Sequence, residues 1–174
     1  MPDEKPEVWQ RGPVENIPAL LQPIAHALLQ AREEVKELTG NFPESLLWER
    51  PGGVASPAFH LQHLTGVLDR LFTYARSQPL SEKQFHSLSI EGVQSQTPFT
   101  LIELVNLFNM QVDISLDALT KADITALTDA RNIGRKQIPT TLIGLYVHAA
   151  EHTMRHVGQL HVTIKILEGL HADQ

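Results

Sequence analysis

Apolar residues recur at alternating spacings of three and four in four long stretches of the chain, the mark of helices that each bury one face. In the first stretch Ile17, Leu21, Ile24, Leu28, Ala31, Val35 and Leu38 form the stripe, and Thr39-Gly40-Asn41 closes it. Pro18 and Pro23 fall in its opening turns, so that end either kinks or belongs to a separate short piece. The second opens at Ser56-Pro57, a capping hydroxyl followed by proline at the first helical position, and runs to about Ser77. Its stripe is His60, Leu64, Val67, Leu71 and Tyr74, with His63 beside it. Thr97-Pro98 repeats the cap-then-proline signal ahead of a third stripe of Leu101, Leu104, Phe108, Val112, Leu116 and Leu119. Thr140 or Thr141 caps the fourth, which continues to about Gly169.

Breakers and polar runs separate these stretches. A turn spans Glu44 to Trp48, followed by a Pro51-Gly52-Gly53 loop. Residues 79–96 form a long polar connection with room for one short helix from Ser81, where Gln84 is placed for a capping box. Residues 121–139 form a second connection, with a basic patch of Arg131, Arg135 and Lys136. The pattern predicts an all-α four-helix bundle with long connections between helices 2 and 3 and between helices 3 and 4. Both are long enough to cross the bundle, so up-down-up-down order is not required. Residues 1–174 read as a single domain with 1–15 as a loosely ordered tail.

Composition narrows the chemistry. A chain of 174 residues holds a core without covalent staples, and with no cysteine it has no disulfide, no thiolate metal site and no catalytic thiol. The net charge of −6 opposes nucleic acid and anionic membranes as partners. The polar, acidic, proline-punctuated start has no apolar run, and no stretch approaches a membrane span, so a cytoplasmic location is expected. Nine histidines stand beside the absent cysteines, so any metal-ligand or general-base chemistry falls to imidazole.

The fourth stripe passes from Leu142, Leu145 and Ala149 to His152 and His156, then Gln159 and Thr163. Histidines at i and i+4 lie one turn apart on one face, where two ring nitrogens reach a single ion. His60 or His63, near the inward stripe of the second helix, supplies a third imidazole, and three protein ligands leave a position open for water or substrate. The residues alone also allow histidines that only hydrogen-bond one another. His148-Ala149-Ala150-Glu151-His152 matches the H-x-x-E-H pattern of inverted zinc proteases, but only Glu168 and Asp173 follow as carboxylates in the short remainder. A di-iron bundle needs Glu-x-x-His on two helices, and Glu151 is followed at that spacing by Met154. Gly158, inside the fourth helix, reads first as a site of tight helix packing and second as room for a bound group.

Two segments carry a family resemblance. Ser56-Pro57-Ala58-Phe59-His60-Leu61-Gln62-His63-Leu64 resembles the second-helix motif of the DinB-like family of DNA-damage-inducible metalloenzymes. His152-Thr153-Met154-Arg155-His156-Val157-Gly158-Gln159 resembles its second signature, and the likeness extends over about residues 17–169. It implies a four-helix bundle holding a divalent metal, zinc or nickel, on His63, His152 and His156, with His60 the runner-up for the first position. Glu151, Gln159 and Asp69 are candidates to accept a ligand's second ring proton, and His148 to stand at the rim. It also implies a metal-dependent enzyme, a thiol-dependent transferase or a hydrolase, acting on a small molecule with a low-molecular-weight thiol as one partner, and it is compatible with a homodimer. Glu151, next to a ligand position, is the weak candidate for a general base. The alternative is a non-catalytic, metal-stabilised bundle that serves as a binding or stress-response module. Because the chain has no cysteine, any thiol in the chemistry comes with the substrate.

Overall fold

The computed structural model describes residues 5–172. Its long helices are α1 (Gln22–Thr39), α2 (Pro57–Ala75), α4 (Leu101–Thr120) and α5 (Leu142–Leu170), with a short α3 (Glu82–Ser89) between α2 and α4. A two-stranded antiparallel hairpin, β1 (Ala130–Ile133) and β2 (Ile138–Thr141), precedes α5 and pairs Ala130 with Thr141 and Ile133 with Ile138. The fold is thus an all-α bundle with one small hairpin added. No helix among the described residues is long and apolar enough to cross a membrane.

The start signals act much as the side chains require. Ser56 Oγ accepts from the Phe59 N–H, and Thr141 takes the same role for the Gly144 N–H. Ser81 and Gln84 form the anticipated capping box. The two early prolines are resolved by a break: Ala19–Leu21 is a single 3-10 turn, and α1 starts afresh at Gln22 with Pro23 in its first turn. Thr97-Pro98 does not open α4. Thr100 does, because Glu103 closes a reciprocal box by accepting the Thr100 N–H and hydroxyl at 2.8 Å. The hairpin, which runs past the end of the 121–139 connection, leaves no mark in the sequence pattern because its four-residue strands are too short for an alternation to register.

α2 packs against α4 and α5, and α1 packs against the same two, so the order around the bundle is α1–α4–α2–α5. Sequence neighbours α1 and α2 therefore lie on a diagonal, as do α4 and α5. The segment 40–56 makes one diagonal step. The longer segment 76–100 joins two helices that already touch, and its length is spent instead on folding back over α2. α2 and α5 run antiparallel, since His60 meets His156 while Phe72 meets Tyr146. Phe72, Phe108, Leu28, Leu61, Leu64, Leu104 and Leu145 are among the side chains that fill the core between them.

Residues 5–15, expected as a loose tail, lie against α1. Val8 is buried and its N–H reaches Gln30, while Arg11 makes a two-pronged ion pair with Glu33 at 2.7 and 2.9 Å. Residues 1–4 of that expected tail fall outside the described residues.

Candidate metal centre

On α5 the buried face runs Leu142, Leu145, Ala149, Thr153, Val157, Leu160, Ile164 and Leu167. It departs from the heptad-like stripe at Thr153, because 3.6 residues per turn carry a seven-residue repeat slowly around the helix. His152 and His156 are thereby left half-buried at the margin of the core, where imidazoles meet both the opposing helix and solvent. α2 brings His63 to the same margin from across the α2–α5 contact.

The three converge. Ligand atoms of His63, His152 and His156 all lie within 4.8 Å of one another. His63 Nε2 faces His152 Nε2 at 3.0 Å, and the His63 and His156 rings are centred 4.3 Å apart. His60 is drawn to the side: its Nδ1 meets His156 Nδ1 at 3.3 Å, and its ring stays outside the convergent group. His60 therefore stands behind His156, in the place of a supporting partner for that ring.

The support for His63 is a residue that the sequence did not point to. Glu91, in the turn after α3, accepts from His63 Nδ1 at 2.7 Å through one oxygen and from Arg70 Nη1 at 2.6 Å through the other. Its side chain is 7% exposed and that of Arg70 10%. Burial is the largest influence on this carboxyl and opposes its ionisation, yet the hydrogen bonds from His63 and Arg70 outweigh it and hold the group below its ordinary value. An ionised carboxylate only accepts, so His63 carries a proton on Nδ1, and Nε2 is the nitrogen that it turns toward His152.

Several features of α2 and the 90–92 turn build this contact. Gly66 lacks the Cβ that would lie 2.5 Å from both Arg70 Nη1 and Glu91 Oε1, so its absence makes room for the pair. Gly92, at φ +78°, sits where a Cβ would press to 2.9 Å from the Phe59 ring, and its N–H donates to Gln62 at 2.6 Å. Phe59 in turn stacks on His63 with an interplanar angle of 10°. Only the Glu91-Gly92 turn inside a polar connection could have signalled this from sequence, and nothing in the spacing ties it to His63.

The other anticipated partners are engaged elsewhere. Asp69 accepts from Gln84 and anchors α3. Gln159 is exposed. Glu151, the general-base candidate, has its oxygens taken by His148 at 2.6 Å and Arg155 at 2.7 Å on the outer face of α5. His148, Glu151 and His152 form a second, more exposed group of ligand-type atoms that shares His152. The basic patch does not rim the histidines. Arg131 bonds the Ala75 carbonyl at the far end of α2, and Arg135 lies over Phe85.

The donor set suits a divalent ion. Burial, then the neighbouring imidazoles, push His156 down to about 4 and His152 below its ordinary value, so both rings are neutral near neutral pH. Neutral imidazole is the form that binds metal. Two nitrogens at about 2.0–2.1 Å from one tetrahedral zinc stand about 3.4 Å apart, close to the gap between His63 and His152. His152 Nδ1 is buried with no partner among the described residues, and an ion on the Nε2 that faces His63 would leave it so.

The same burial predicts a pH response of metal-free protein. His60, like His156, is pushed down to about 4 from 6.5, by burial first and by His63 second. Between these values the unfolded chain binds more protons than the folded one, so stability rises with pH across the window and levels off above it. Bringing chelated protein from neutral pH to about pH 4 is expected to cost about 3 kcal/mol through His60 alone. Thermal unfolding at graded pH checks this, and a melting temperature that stays flat over the window contradicts it.

Fold and site together define a helical bundle that carries a candidate three-histidine metal centre at the margin of its α2–α5 seam. A family model, the DinB superfamily, matches residues 27–160, and the chain belongs to that superfamily. No curated protein matches the chain significantly.

Proposed function

We propose that the protein is a divalent-metal-dependent enzyme, a transferase using a small thiol or a hydrolase, with His63, His152 and His156 as ligands. The observation that carries this reading is the orientation of His63: Glu91 holds its Nδ1 proton and leaves Nε2 free toward the other two rings. Membership of the DinB superfamily and the convergence of the three rings support it. Zinc and nickel suit an all-imidazole donor set. A divalent ion there supplies Lewis acidity, which lowers the pKa of a bound water or thiol and polarises an acceptor. The chain contributes the rest. Glu91 and Arg70 fix the first ring, His60 backs the third, and Phe59 covers the face of His63. With no cysteine in the chain, the thiol of a transferase reaction belongs to the substrate.

Metal analysis of protein purified without chelators tests the reading. About one equivalent is expected in the wild type and essentially none in the His63→Ala/His152→Ala/His156→Ala variant. Equal metal in both removes this site from the argument. A bound ion with no exchangeable water, read by relaxation of water protons on a manganese- or cobalt-loaded sample, would instead favour the structural role.

A further inference from the structure

A cleft of about 550 Å³ lies beside the candidate centre, between the segment carrying Val54 and Ala55 and the outer flank of α5. Its walls include Val54 and Val162, which are 53% and 60% exposed, and its inner side is His60, which is 4% exposed. Gly158 lies between them. A glycine inside a helix costs about 1 kcal/mol relative to alanine, and tight packing is the usual reason for one. Here packing gives no reason, because a Cβ at Gly158 would meet nothing within 4 Å. The expectation of a close helix neighbour is thus overturned, and the missing side chain enlarges the cleft instead.

His60 gives the cleft a polar end. Its only ring hydrogen bond among the described residues joins Nδ1 to His156 Nδ1, which leaves Nε2 without a protein partner in a residue almost wholly buried. When His156 uses Nε2 as a ligand atom, its Nδ1 carries the proton and donates to His60 Nδ1. The His60 proton then sits on Nε2, an N–H donor at the inner end of a cavity that Val54, Ala55 and Val162 line together with Gln159 and Thr163. Arg155 lines the same cleft, and its bond to Glu151 uses one of its terminal nitrogens.

We propose that this cleft binds a small molecule with an apolar alkyl or aryl body and a hydrogen-bond acceptor, a carboxylate or carbonyl, at its inner end. The body lies along Val54, Gly158 and Val162, and the acceptor takes the His60 Nε2 proton. The Arg155 charge favours anions over cations. That this molecule is the substrate, and that His60 Nε2 is fixed as a donor to it, rest on the metal centre proposed above; the space between Val54, Gly158 and Val162 does not.

Calorimetric titration of the full-length protein with phenylbutyrate, benzylacetone and phenylbutylamine tests the proposal. The acid and the ketone are expected to bind, and the amine to bind at least about tenfold more weakly than the acid. Tighter binding of the acid than of the ketone assigns Arg155 a share in recognition, and equal binding assigns recognition to His60 alone. Gly158→Leu is expected to weaken the acid at least about tenfold by filling the cleft. Because leucine is a good helix former at an exposed position, this variant is expected to fold, and its circular dichroism and melting temperature verify that. No binding of acid or ketone by wild type, an amine that binds as well as the acid, or wild-type affinity in Gly158→Leu overturns the proposal. Metal content is measured on the same samples. Ligand binding without metal removes the metal-enzyme reading and leaves the cleft, whereas metal without ligand binding does the reverse.

Discussion

Glu91→Ala is expected to destabilise the protein by about 3–5 kcal/mol, the cost of leaving a buried guanidinium without its carboxylate. Arg70 is 8% exposed, and among the described residues Glu91 is the carboxylate that pairs with it. The same substitution frees the His63 Nδ1 proton and lets the ring turn or change tautomer, which is expected to weaken metal binding about 10–100-fold. One further variant, a double substitution, separates the effects. Glu91→Gln with Arg70→Met removes both buried charges while keeping an acceptor for His63, and is expected to recover most of the stability. Urea unfolding of chelated protein reads the first effect, and competition with a chromophoric chelator reads the second. A Glu91→Ala protein with wild-type stability would show that the pair carries no energetic weight.

His152→Ala is expected to weaken divalent-metal affinity by about a hundredfold or more, since structural metal binding of about 10–16 kcal/mol is shared among only a few ligands. The neighbouring histidines calibrate this. His60→Ala removes a supporting contact to His156 and is expected to lose about tenfold, and His148→Ala, whose partner is the exposed Glu151, little or nothing. Saturating metal raises the melting temperature of any protein that binds it only when folded, so the thermal shift on adding zinc or nickel ranks the variants. An equal shift in wild type and His152→Ala would place the ion elsewhere, the exposed His148–Glu151 group being excluded by its own dependence on His152.

Much of the architecture was legible because helices declare themselves locally. Ser56-Pro57, Ser81 with Gln84, and Thr141 cap by contacts that lie within three residues along the chain. α4 shows the limit of that legibility. Thr97-Pro98 and Thr100 with Glu103 are both good start signals, and the reciprocal hydrogen bonds of the second pair decided between them. His152 and His156 were legible for the same local reason, since four residues on a helix is one turn. Spacing alone did not choose between His60 and His63, although the family resemblance put His63 first. Both sit near the inward stripe of α2, and only the crossing with α5 sends His63 to the shared cluster and His60 behind His156.

The chain by itself determined the helices, their caps, the absence of a protein thiol and the pair of imidazoles one turn apart on α5, all matters of composition or of contacts a few residues long. The tertiary structure decided what depends on long-range closure. The bundle order put α2 beside α5, and the 76–100 segment brought Glu91 back over Gly66 to hold His63 across 28 positions of sequence. It also turned Gly158 from an expected packing contact into open space. No periodicity encodes such meetings. They depend on which faces pack and how a polar loop settles, and those are set by the burial of the whole core.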